Sequence, residues 1–192
     1  MSHRGLLANG LAFVMAITVV HGQAQRGTSN STSGDARTFI NEMAIAGMAE
    51  VQLGKLATAR AQSAGVKEFG QMMVKDHTQA NTELARVAKQ LNIPVPTQLD
   101  QKHREIVERL SKLSGAAFDR EYMTVMVPGH EEVAAKLRTK AGSQGAADAR
   151  GSQSVGTSGP QSAEALTQWA AKALPTVQLH LQRAKDIQQQ VK

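Results

Sequence analysis

Three histidines in this chain recur in one kind of setting. His77 follows Val66, Phe69 and Met73 and precedes Ala80, Leu84, Val87 and Leu91. His130 stands among Phe118, Tyr122, Met126, Val133 and Leu137, and His180 among Leu166, Trp169, Ala173, Val177, Ala184 and Ile187. Apolar residues at three- and four-residue spacing mark one face of an α-helix. Each imidazole is therefore expected on the buried stripe of a different helix, near its midpoint. Glu50 holds the corresponding place in a fourth stripe, with Met43, Gly47, Gly54 and Ala57. If the four helices pack in register, the four side chains meet at one level of the core. The worst mismatch is about four residues, or roughly 6 Å at the α-helical rise.

Three neutral imidazoles and a carboxylate suit a single transition-metal ion such as Zn, Fe or Cu, the carboxylate offsetting the metal's charge. Asp76 and Glu131 adjoin His77 and His130 in sequence. They are candidates to orient the histidines, although a sequence neighbour points about 100° away around a helix. The same residues would also make a buried hydrogen-bonded network with no metal at all. Dinuclear carboxylate chemistry fits poorly. It uses Glu-x-x-His on two helices, and here the positions three before His77 and His180 are Val74 and Val177. Met73 and Met126 lie one turn before His77 and His130; thioethers suit copper(I), but methionine at this spacing is core filler in most helices. No catalytic residue set stands out. The chain has no cysteine, its serines concentrate in polar stretches, and it carries neither a phosphate loop nor a dinucleotide fingerprint.

The elements that position these residues follow from the same periodicity. Long helices are expected at about 38–63, 66–91, 115–141 and 163–190. A short turn at Ser63-Ala64-Gly65 makes the first two antiparallel. Pro94 and Pro96 stop the second helix, because proline has no amide to donate and its ring crowds the preceding turn. Thr97 or Asp100 caps a shorter helix at about 99–113, which carries His103 in solvent. Ser114 and Ser162 are read as caps of the third and fourth long helices, Trp169 and Tyr122 as core residues. Pro128-Gly129 and Pro175 are expected to bend those two helices. Residues 25–37 read as a flexible arm, and 142–161, rich in Gly, Ser and Gln, as a disordered linker inside a domain spanning 38–190.

Composition limits the partners. Residues 1–24 read as a signal peptide, with Arg4 ahead of the apolar run from Leu11 to Val20 and small residues Gly22 and Ala24 before the expected cleavage. That run is too short to span a bilayer, and no second one follows. The expected location is periplasmic or secreted, with no transmembrane segment in the mature chain and no cysteine for a lipid anchor. The whole chain carries a net charge of +6, of which Arg4 leaves with the signal. Its basic residues are scattered and its aromatic residues few, so nucleic acid, which calls for a basic stripe and stacking platforms, is not an expected partner.

The segments GMAEVQLGKLA (47–57), FGQMMVKDHTQAN (69–81), LSKLSGAAFDREYM (110–123), HEE (130–132) and LPTVQLHLQRA (174–184) together resemble a bacterial exported family of unknown function. It is often labelled "putative outer membrane protein" and is grouped with ferritin-like helical bundles. The resemblance implies an all-α, ferritin-like four-helix bundle, with the short helix in the connection between the second and third long ones. Pro128-Gly129, directly before His130, and the length of 142–161 depart from the family pattern. Two functions are expected from these readings. One is a non-enzymatic structural, interaction or stress-related module of the cell envelope with an envelope component as partner. The other is a transition-metal-binding bundle using Glu50, His77, His130 and His180.

Overall fold

A computed structural model describes residues 26–148 and 160–191, which form five helices: α1 (Arg26–Arg60), α2 (Ala64–Gln90), α3 (Gln101–Ser111), α4 (Gly115–Asp148) and α5 (Pro160–Gln190). The expected signal peptide and the middle of the expected linker lie outside the described residues. Three helix ends differ most from the sequence reading: α5 begins at Pro160, within the expected linker, which puts Ser162 inside the helix rather than at its cap. α1 begins at Arg26, so the polar residues 26–34 continue the helix through its own backbone hydrogen bonds rather than forming an arm. α4 likewise runs to Asp148, into the stretch expected to be a linker. No described helix is long and apolar enough to cross a membrane.

The apolar stripes fill two separate clusters. One holds Ile40, Ala44, Leu84, Ala134, Leu137 and Leu166. The other holds Leu53, Ala57, Phe69, Met73, Phe118, Tyr122, Met126 and Ala184. Chain order against these clusters gives each helix its direction. α1 and α5 run from the first cluster to the second; α2 and α4 run from the second to the first. α1 therefore lies antiparallel to α2, and α4 to α5, the two most extensive packings in the molecule. α2 and α4 point the same way, so residues 91–114 return the chain along the domain, from Ile93 in the first cluster to Leu110 in the second. α3 supplies about 16 Å of that return.

Local chemistry explains the ends. At the end of α2, Asn92 takes a left-handed conformation, φ 54°, and Ile93 N donates to Ala88 O at 2.9 Å. Asparagine tolerates this geometry better than most side chains, and the bond satisfies a terminal carbonyl. Asp100 caps α3, accepting from His103 N at 2.9 Å. Ser63, which precedes α2, makes no side-chain cap bond. Instead Asp119, buried on α4, accepts from Gln62 N at 3.1 Å and Ser63 N at 2.8 Å. α4 and α5 run through Pro128 and Pro175 unbroken. The carbonyls those prolines leave without helical donors belong to Thr124 and Ala171, both exposed, so water can take the place of the missing amides.

α1 and α2 approach most closely at two glycines. A Cβ on Gly54 would lie 2.6 Å from Gly70 O, and one on Gly70 2.8 Å from Gly54 O. Gly129 is different, since its Cβ would meet only Glu50 Oε1, at 4.0 Å. Thermal or denaturant unfolding should separate them. Gly54→Ala and Gly70→Ala are expected to destabilise by about 1–3 kcal/mol through overpacking. Gly129→Ala is expected to be neutral or to gain up to about 1 kcal/mol from helix propensity. Equal effects at all three positions would contradict the close approach. Asp119→Ala, which strips two part-buried amides of their acceptor, is expected to cost about 0.5–1.5 kcal/mol, whereas Asp119→Asn, keeping one acceptor oxygen, should cost less.

Candidate metal centre

The gap between the two apolar clusters is where the histidines sit. His77 lies between Met73 of one cluster and Leu84 of the other, His130 between Met126 and Ala134, and His180 between Val177 and Ala184. The three rings touch one another, with centroids 5.9 Å apart for His77 and His130, 5.4 Å for His77 and His180, and 5.6 Å for His130 and His180. Phe69 closes the level from the second cluster, its ring 6.0 Å from His130 and 6.4 Å from His180 in edge-to-face contacts.

Hydrogen bonds fix which nitrogens are free. His130 Nδ1 lies 2.8 Å from Met126 O, one turn earlier on α4. A carbonyl only accepts, so Nδ1 carries the hydrogen and Nε2 the lone pair. His180 Nε2 lies 3.0 Å from Asp76 Oδ2 on α2. The carboxylate accepts there, which leaves the lone pair on His180 Nδ1. His130 Nε2, His180 Nδ1 and His77 Nε2 are all buried without a hydrogen-bond partner. One ring nitrogen from each of the three residues lies within 4.8 Å of the others. With these atoms unpartnered, the geometry lacks the links of a His–Glu–His network.

Glu50 reaches the same level from α1 but stands outside this triplet. Its Oε1 is 3.8 Å from His130 Nδ1, on the side of the ring away from the lone pair, and its Oε2 is buried without a partner. Burial raises the Glu50 pKa above the ordinary carboxylate value, against a weaker pull downward from His130 and His103. Burial likewise lowers His77 to about 3, helped by repulsion from His130 and His180. His180 is lowered too, chiefly by burial, although Asp76 pulls the other way. Tyr122 packs flat against Phe118, ring centroids 5.4 Å apart, and its hydroxyl is buried without a partner. Burial, and then Glu50, raise its pKa well above the phenol value.

Other sequence candidates fall elsewhere. Glu131 faces outward and pairs with Lys185 at 2.7 Å, so it does not orient His130; a carboxylate one residue before or after a core residue leaves the core face. Asp76 does act on a histidine, but on His180 across the helix interface rather than on its sequence neighbour. His103 is on α3 with Asp100, at 2.6 Å. Met73 and Met126 are buried in the second cluster with Leu53 and Phe118. Glu83, which is not among the sequence candidates, pairs with Lys172 of α5 at 2.9 Å and lines the cavity that reaches the histidines. Its place on α2 one turn beyond Ala80 of the inner stripe was the available signal.

A cavity of about 190 Å³ reaches the three histidines and Glu50. Its walls include Met43, Val133, Leu137, Ala173 and Val177, and its exposed lining residues, Gln79, Lys172 and Thr176, lie on α2 and α5.

The model of a domain of unknown function, DUF4142, matches residues 21–151. The chain belongs to that family. Glu50, His77 and His130 fall inside the matched stretch, whereas His180 and the rest of α5 lie beyond it. Comparison with curated proteins and with solved structures gives no match.

The histidine burial has a consequence for metal-free protein. Unfolded chain takes up a proton at His77 near the ordinary value of 6.5, while the folded protein resists until about 3. Stability therefore falls as pH drops from 6.5 toward 3, by up to about 1.4 kcal/mol per pH unit for each such proton. Glu50 acts in the opposite sense: its raised pKa favours the folded state most below 4.5, and that advantage is lost as pH rises. Denaturant titrations of chelator-treated protein between about pH 7 and 4 should show a shallower acid-side loss in His77→Gln. Glu50→Gln should be at least as stable as the parent at about pH 7. An unchanged acid slope in His77→Gln would mean that the folded protein protonates this ring freely.

Proposed function

We propose that this domain binds a single transition-metal ion through His77 Nε2, His130 Nε2 and His180 Nδ1. Two observations carry the reading together: each ring has a buried nitrogen without a partner, and each offers a nitrogen within 4.8 Å of those of the other two. A buried lone pair without a donor costs about 1–3 kcal/mol, and three in one place are accounted for at once by a shared cation. The second contacts fit the same role. Histidine ligands commonly donate their other ring hydrogen to a carboxylate or a backbone carbonyl, which fixes tautomer and ring orientation. His180 does so to Asp76 and His130 to Met126 O. The low His77 pKa keeps that ring neutral and available at neutral pH. Zinc–nitrogen bonds of about 2.0–2.1 Å in tetrahedral geometry place nitrogens about 3.3 Å apart, so the rings draw together by up to about 1.5 Å on loading. Neutral imidazoles suit zinc, iron or copper. Glu50 stands beside the His130 ring, outside the ligand set.

The fold that carries this centre is read as a ferritin-like four-helix bundle. The support is the helix directions: two antiparallel pairs whose inner members are parallel and joined by one long crossover. The centre would then be mononuclear and histidine-based in an architecture that also hosts carboxylate-bridged pairs. We further propose export to the periplasm or beyond, supported by the basic, apolar and small-residue order of residues 1–24. The protein would then act as a non-enzymatic metal-binding module of the envelope.

Elemental analysis of untagged protein, purified from its own compartment without metal affinity steps, tests the reading. One equivalent of metal is expected in the parent and none in His77→Ala. Added metal should raise the melting temperature of the parent, by the equivalent of about 2.7 kcal/mol at a hundredfold excess over Kd, and leave His77→Ala unmoved. Asp76→Asn should keep the site but weaken it about 10–100-fold. Absence of metal, together with no thermal shift from zinc, iron or copper, would overturn the assignment.

A further inference from the structure

We propose that the trihistidine centre keeps one coordination position open for an exchangeable small monoanion, which enters through the cavity between α2 and α5. The inference rests on the metal reading above and adds to it what the metal would bind.

Three facts lead there. First, the ligand set stops at three. Among the described residues, the group of metal-binding atoms within 4.8 Å of one another contains His77, His130 and His180 and no carboxylate. A tetrahedral ion needs a fourth donor, and sites that close the sphere with protein are the structural ones, whereas three protein ligands leave a position for an outside molecule. The two carboxylates beside the rings both meet the wrong edge: Glu50 lies 3.8 Å from the His130 Nδ1 that already donates to Met126 O, and Asp76 accepts from His180 Nε2 at 3.0 Å.

Second, the three histidines do not face closed packing. They line a cavity of about 190 Å³, more than ten times the smallest space that holds a water molecule, roughly 10–15 Å³. That space is unnecessary for a structural ion. Its exposed lining residues, Gln79, Lys172 and Thr176, all lie on α2 and α5, which marks the side on which the cavity meets solvent.

Third, charge selects the occupant. Three neutral imidazoles leave a divalent ion's charge uncancelled inside a largely apolar chamber, where an uncompensated charge is costly. A monoanion with an oxygen or nitrogen donor relieves that cost directly. The apolar Met43, Val133, Leu137 and Val177 walls, and the carboxylates Glu50, Asp76 and Glu83 that also line the cavity, disfavour a second negative charge, which limits the ligand to a small singly charged species such as hydroxide or a short carboxylate. Lys172 lies at the mouth, and Glu83 holds it there by a 2.9 Å pair.

Cobalt(II) in place of the native metal, with azide and acetate as probes, tests this in the full mature chain. The visible d–d bands of the cobalt protein should shift on addition of either anion and saturate as a single site. Ala173→Phe, which places a ring in the passage without touching a ligand, should retain the cobalt bands and weaken azide binding at least about tenfold. Glu50→Gln should respond to azide as the parent does. Cobalt bands that ignore both anions would overturn the inference while leaving the metal site standing. A response only in Glu50→Gln would show that Glu50 fills the fourth position, which overturns it equally. An unchanged azide affinity in Ala173→Phe would refute the proposed passage. Failure of cobalt to bind at all would instead remove the metal reading itself.

Discussion

The structure depends on holding a desolvated polar layer in the middle of an apolar core. Three ring nitrogens and a carboxylate oxygen are buried there without partners, at about 1–3 kcal/mol each. Such a layer survives only if apolar packing on both sides outweighs it. The core meets that condition by dividing into two clusters, one around Ile40, Leu84 and Leu137 and one around Phe69, Phe118 and Tyr122. Each of the four long helices contributes to both clusters, so none can shift its polar residue out of the layer without unpacking both.

The close approach of α1 to α2 follows from the same requirement. Gly47 and Gly54 sit on one face of α1, three residues before and four residues after Glu50. A Cβ on Gly47 would collide with Asn81, and one on Gly54 with the backbone of α2. With both neighbours reduced to a hydrogen, Glu50 is the long polar side chain on that face, and it extends across to the α4 histidine. Opposite it, Gly129 leaves room beside the carboxylate that even a methyl group would not exhaust. Helix propensity is sacrificed at Gly47 and Gly54 for interhelical distance.

Much of this was legible in the sequence because periodicity reports on burial. The stripes through His77, His130 and His180 placed the three rings on core faces, and their shared distance from the helix ends placed them at one level. Rotation about the helix axis was not legible at the same precision. By spacing alone Asp76 reads as a helper of its own neighbour, yet an arc of about 100° carries it to α5 and His180. The same arc turns Glu131 out to Lys185. Glu50 was on the right face and level, but which edge of an imidazole it meets depends on rotamers that spacing does not encode. Helix ends were the weakest part: residues 26–34 and 142–148 have no apolar stripe, and what extends α1 and α4 through them is backbone hydrogen bonding, to which composition is blind.

Asp119 sets a length. Its carboxylate ties the amides of Gln62 and Ser63, just ahead of α2, to the second turn of α4, and α2 and α4 run in the same direction from that tie. The two helices are thereby pinned at a common origin, with His77 fourteen residues along from Ser63 and His130 eleven along from Asp119, about 21 and 16 Å at the helical rise. Slippage of one helix past the other by a single turn, about 5.4 Å, would exceed the 4.8 Å within which one nitrogen from each ring lies. A residue far from the histidines thus acts as the fixed end of a ruler, and inserting or deleting one residue between it and His130 would misalign the three rings while leaving every histidine present.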